Sequence, residues 1–173
     1  MAIDLTLKSV QLTNRDAVPR TKNNPGLGSG SREKVAIGHI ASVTAALSIT
    51  SVIRLVQVPS NCIVVNILFQ SAAQGAGAFS LGVYRTPADG GLVAFTSSDQ
   101  FFATAISAAS AVVLADVVNE STTYTIAKQS QPLWQAIGMA ADPMCALDIC
   151  AVVTTTDVTT GTGALGIKVK YVD

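Results

Sequence analysis

Charge is what this sequence has least of. Asp, Glu, Lys and Arg make up 13% of its 173 residues, about half the ~25% usual in a globular domain. Eleven basic side chains cancel eleven acidic ones. With 49% hydrophobic residues the chain is not disordered throughout, and at zero net charge little self-repulsion keeps exposed apolar patches apart. A subunit that hides surface in an assembly fits this balance better than a lone monomer. The length suits one domain, since a single core usually spans ~100–200 residues.

Long apolar runs are also missing. The longest charge-free stretch, 55–84, is broken by Gln57, Pro59, Asn61, Asn66, Gln70 and Gln74, well short of the ~20 apolar residues of a spanning helix. No membrane partner is expected. The first residues hold only Ile3, Leu5 and Leu7 as scattered apolar positions beside Asp4, so no secretory block is expected and synthesis in the cytoplasm is the default. Three cysteines, an odd number, give no disulfide framework. Cys145 and Cys150, five apart, would face opposite sides of a strand, and small buried thiols are the expected role. The Asn119-Glu120-Ser121 triplet matches a glycosylation pattern by coincidence.

Histidine occurs once, which removes most hydrolytic and metal chemistry. His39 falls in an expected strand beside Val35 and Ile37, where a half-buried, hydrogen-bonded ring is the expectation; no cysteine or second histidine stands at ligand spacing. No Gly-x-Ser-x-Gly elbow is present. Gly26-Leu27-Gly28-Ser29-Gly30 neither follows a strand nor precedes Gly-Lys-Ser/Thr, so it is a linker and not a phosphate cradle. Asp89, Asp99, Asp116, Glu120, Asp142, Asp148 and Asp157 are scattered without an Asp-x-Asp loop. No catalytic residue, metal or cofactor is expected, and the chain is read as a non-enzyme.

What is present divides the chain near residue 34. Residues 1–34 carry six basic side chains (Lys8, Arg15, Arg20, Lys22, Arg32, Lys34) and three acidic ones (Asp4, Asp16, Glu33), a net +3 that leaves −3 on the rest. Pro19, Pro25, Gly26, Gly28 and Gly30 prevent regular structure, so 1–34 reads as an extended N-terminal arm that orders against a partner. The alternating Ile3, Leu5 and Leu7 suit strand addition to another sheet. A charge of +3 is far too sparse to neutralise a genome, so nucleic acid is not an expected partner.

Residues 35–173 read as short β segments. Strands are expected at 34–40, 52–58, 62–70, 79–83, 92–95, 111–118, 122–127, 147–155 and 165–172, from β-branched runs and period-two alternation between turn residues. In 62–70, Ile63, Val65, Ile67 and Phe69 are expected on one face. In 165–172, Leu165, Ile167, Val169 and Tyr171 alternate with Gly166, Lys168, Lys170 and Val172. The two lysines suit either a solvated edge or an acidic partner. Short helices are expected from Ser98 or Asp99 through Ile106, and after Pro132. The sum is an all-β fold, an antiparallel β-sandwich, jelly-roll-like, with one or two short helices and the N-terminal arm.

Several strings in this order carry a resemblance: Leu12-Thr13-Asn14-Arg15-Asp16-Ala17, Ile53-Arg54-Leu55-Val56-Gln57-Val58-Pro59-Ser60-Asn61, Gly82-Val83-Tyr84-Arg85, Pro132-Leu133-Trp134-Gln135-Ala136-Ile137-Gly138-Met139 and Ala141-Asp142-Pro143. Across residues 12–172 the chain resembles head decoration, or cement, proteins of tailed bacteriophages. The resemblance implies a structural virion protein on the capsid exterior that binds the major capsid protein and itself, as a homodimer or homotrimer, and stabilises capsomer junctions. The partner-binding residues expected in the arm are Thr13, Asn14, Arg15, Asp16, Arg20, Lys22 and Arg32. Trp134, Phe101 and Phe102 are candidate apolar anchors at an interface or in the core, the core being favoured because few other large residues exist to fill it. The alternative is a receptor- or glycan-binding β-sandwich module of a phage fibre or tail, which would need exposed aromatics.

Overall fold

Eight strands among the described residues define the architecture. The computed structural model describes residues 32–41, 43, 47–85, 100–155, 158 and 163–173. The strands are β1 Glu33–Ile40, β2 Val52–Pro59, β3 Ile63–Ser71, β4 Ala78–Arg85, β5 Ala103–Ser107, β6 Val112–Asp116, β7 Ala146–Thr154 and β8 Leu165–Val172. One sheet has the order β1-β8-β3-β6 and the other β2-β7-β4-β5, with every pairing antiparallel. First pairs with last, second with seventh, third with sixth and fourth with fifth. These nested pairs, rolled into two facing sheets, are a jelly roll.

The core lies between the sheets. Ile67 and Phe69 from β3 and Leu165, Ile167 and Val169 from β8 face Phe79, Leu81 and Val83 from β4 and Leu147, Ile149, Ala151 and Val153 from β7. Each fully buried side chain of this size contributes ~1.5–3 kcal/mol. The rings of Phe69 and Phe79 meet edge to face at 6.1 Å. The alternation expected for β8 and for 79–83 is the one observed.

Two bulges adjust the pleat. Opposite β7, Leu55 is an extra residue between Arg54 and Val56. Opposite β8, Val65 is extra between Val64 and Asn66. Each inserted residue shifts which side chains face inward. Val64 is therefore buried while Val65 is exposed, although plain alternation put Val65 with Ile63 and Ile67. The carbonyl of Val64 at this bulge accepts a hydrogen bond from the Tyr124 hydroxyl at 2.9 Å.

Two expected elements differ. Residues 103–107, expected as the end of a helix, form β5; Phe101 and Phe102 are both buried just before it, their rings 4.9 Å apart and 5.2 and 5.0 Å from that of Tyr124. Residues 122–127, expected as a strand, form turns that lead into a 3-10 turn at Lys128–Ser130. In both places burial of aromatic rings outweighs local propensity. The helix expected after Pro132 is present as α1, Leu133–Ala136. The expected strand at 92–95 lies outside the described residues.

Candidate binding interface

The two strands at the start of the chain meet at the corner of the sandwich, and this corner decides which way β1 faces. A side chain at Gly38 would collide with the backbone of Leu55, the bulged residue of β2, its first carbon lying 2.6 Å from the Leu55 carbonyl carbon. The inward positions of β1 are accordingly Ala36, Gly38 and Ile40, small except at the end. The larger Val35 and Ile37 point outward, with Ile37 71% exposed. His39 shares their face. It is exposed, not half-buried as expected, and among the described residues its ring has no hydrogen-bond partner.

The outer face of the first sheet can be laid out row by row from the strand register. One row runs Ile37, Lys168, Leu68, Asp116 across β1, β8, β3 and β6. On one side of it lie Val35, Lys170 and Asn66, and on the other His39, Gly166 and Gln70. Leu114 stands beside Gln70 at the edge. Gly166 has no side chain, and a shallow depression of about 200 Å³ opens there, walled by Ile37, His39, Gln70, Leu114 and Lys168. Val113 and Leu114 on β6 are 76% and 53% exposed. This is an exposed surface that mixes large apolar groups with a central cation.

Its charges are unequally satisfied. Lys170 pairs with Glu33 at 3.0 Å, and Lys34 with Asp173 at 2.7 Å. The bond to Asp173 raises the Lys34 pKa above its ordinary value. Asp116 accepts from Asn66 Nδ2 at 2.6 Å and from the Val118 amide at 3.2 Å. Among the described residues no carboxylate reaches Lys168 and no cation reaches Asp116. Since β8 is an interior strand, its lysines do not guard a sheet edge, which was one of their two expected roles.

The other surfaces differ. The edge strands β5 and β6 each carry a residue in the left-handed region, Ala105 at φ 51° and Leu114 at φ 44°, where their registers are irregular. Such bulges spoil an edge as a template for strand addition. On the outer face of the second sheet, Tyr84, Cys150 and Val152 are buried, and Arg54 binds Asp148 and donates to the Arg85 carbonyl at 3.1 Å. Burial pushes both the Cys62 and Cys150 thiols up to about 12.

No arrangement for catalysis forms among the described residues. A depression of about 410 Å³ between the β2–β3 turn and the start of β7 contains Ser60, whose hydroxyl donates to Asp142 Oδ1 at 2.5 Å. Met144 N donates to the same oxygen at 2.9 Å. No histidine is among the described residues that line it. No three His, Cys, Asp or Glu side chains gather among the described residues, and no helix there is long and apolar enough to cross a membrane.

Of the expected arm residues, Arg32 is described and exposed. Thr13, Asn14, Arg15, Asp16, Arg20 and Lys22 lie outside the described residues. Phe101 and Phe102 are core residues and Trp134 is half-buried. Sequence reasoning missed Val35, Ile37, Val113 and Leu114 as surface groups. For β1 the signal was available: small Ala36 and Gly38 alternate with the larger residues, so the small side is the one that packs closely.

No family model matches the chain, and no curated protein matches it. Among solved structures the chain is similar to one titled cyanophage Pam1 capsid asymmetric unit, with 15% sequence identity and a TM-score of 0.45 over 91% of this chain and 96% of the other. The architecture rests on the strand order itself.

Proposed function

We propose that this protein is a structural virion subunit: a decoration or cement protein on the outside of a tailed-bacteriophage head, binding the major capsid protein and further copies of itself across capsomer junctions. The observation that carries this reading is the outer face of the first sheet, where Ile37 and Leu114 stand exposed beside Lys168. A jelly-roll body whose first sheet turns exposed apolar side chains outward among charged ones is suited to docking. The sequence resemblance points the same way. Residues 1–34 supply the second grip, with Thr13, Asn14, Arg15, Asp16, Arg20, Lys22 and Arg32 contacting the shell. Individually modest contacts then act together through high effective concentration.

The test is co-sedimentation of the full chain with tailed-phage shells stripped of decoration protein. Saturable binding is expected, together with greater resistance of the shells to heat. Replacing Arg15, Arg20 and Arg32 by Glu should weaken binding while leaving the melting temperature of the free protein unchanged. No binding to any such shell would refute the reading. The alternative, a receptor- or glycan-binding module, needs rings on the surface; among the described residues Phe69, Phe79, Phe101, Phe102, Tyr84 and Tyr124 are buried, and Trp134 and Tyr171 are half-buried.

A further inference from the structure

We infer that the outer face of the first sheet packs on the same face of a second copy of this chain, about a two-fold axis running along β3. This rests on the reading above that the face is an interface, and adds which partner it takes and in what register.

Lys168 on β8 and Asp116 on β6 are the direct neighbours of Leu68 in one row, on opposite sides of β3. A two-fold axis parallel to the strands and passing over Leu68 exchanges those two sides. It sets Leu68 on Leu68 and brings each Lys168 against the partner's Asp116, so that two charges with no ionic partner among the described residues become two ion pairs across the interface. Asp116 makes two hydrogen bonds, and a carboxylate offers about four acceptor sites, so it has capacity left. In the neighbouring row the same operation sets the partner's Leu114, an exposed apolar side chain, over Gly166, where the surface is hollow. Charge and shape are thus self-complementary under one operator. Edge-to-edge pairing is the less available route, because bulges interrupt β5 and β6 while β1 closes on β2 at the corner.

The contact is small. With the axis over β3, the strands β8, β3 and β6 overlap their counterparts and β1 lies outside; three strands ~4.8 Å apart with outward residues ~6.8 Å apart along each give roughly 200–300 Å² per copy, below the ~600–1,000 Å² per partner of a stable interface. Association is therefore weak in dilute solution and strengthened where a shell holds copies close together.

Sedimentation equilibrium of the full chain over a dilution series tests this. The wild type is expected to show a reversible monomer–dimer equilibrium that weakens with salt. Lys168→Glu alone and Asp116→Lys alone should each weaken it by about tenfold or more. Mixed together, the two variants should associate at least as well as the wild type, because each Glu then meets a Lys and each native pair is kept. Melting curves establish that both variants are folded; if Asp116→Lys is not, Lys168→Glu mixed with Asp116→Asn serves, with partial recovery expected. A wild type that stays monomeric, a trimer, or variants that do not recover on mixing would overturn the inference. If the wild type stays monomeric yet sediments with shells, the pairing is wrong and the virion reading stands.

Discussion

The carbonyl of Leu55 occupies the place where a side chain at Gly38 would begin. That contact seals the corner between the two sheets and leaves the large residues of β1 only one side, the outer one. Gly38→Ala is expected to lower stability by about 2–3 kcal/mol, as overpacking against an immobile backbone does. At ~2–4 °C per kcal/mol for a chain of this size, calorimetry should show a melting point lower by several degrees. An unchanged melting point would mean that the corner is loose.

The second bulge leads to a prediction about a single hydroxyl. Tyr124→Phe keeps the ring stack with Phe101 and Phe102 but leaves the Val64 carbonyl buried without its donor. The expected cost is ~1–3 kcal/mol, read from urea unfolding. Tyr124→Leu should cost more, since ring contacts are lost as well.

Alkaline pH should loosen the fold. Cys62 and Cys150 rise from an ordinary 9.0 to about 12 because burial disfavours the thiolate. Burial raises the pKa of Tyr124 as well. The folded state thus holds protons that the unfolded chain releases. The stability these groups add is complete below pH ~9 and is lost as pH climbs from there toward 12. Cys62→Ala/Cys150→Ala should flatten this decline between pH 9 and 11 in equilibrium unfolding, at the cost of some stability at pH 7. An identical pH slope in the variant would contradict the assignment.

Arg54 and Asp148 form a largely buried ion pair on the second sheet, with side chains 29% and 10% exposed. Removing only Arg54, as in Arg54→Met, leaves the Asp148 carboxylate uncompensated and should cost ~2–4 kcal/mol. Replacing both, Arg54→Met with Asp148→Leu, should cost distinctly less than Arg54→Met alone. A double-mutant cycle in chemical denaturation measures the difference, and strict additivity would argue against coupling.

Strand content was legible because period-two alternation is a local property: Phe79, Leu81 and Val83, or Leu165, Ile167 and Val169, announce a buried face from the sequence alone. The candidate interface was less legible. Val35 and Ile37 look like core residues until Gly38 is seen against Leu55, a contact between strands whose facing is set by a bulge. Lys168 and Lys170 have the same alternation whether β8 is an edge or an interior strand. Their role changes with strand order, which no local pattern encodes. Residues 103–107 and 122–127 depart from their expected character because Phe101, Phe102 and Tyr124 pack on one another.

By itself the sequence determined an all-β body, a net charge of zero and a single histidine, since composition and alternation act residue by residue. Tertiary structure alone decided that Lys168 and Asp116 flank Leu68, that Gly166 opens a hollow between them and the corner, and that Ile37 faces water. Those facts depend on register between strands more than forty residues apart in the chain, where a bulge of one residue reverses the face on which a side chain appears.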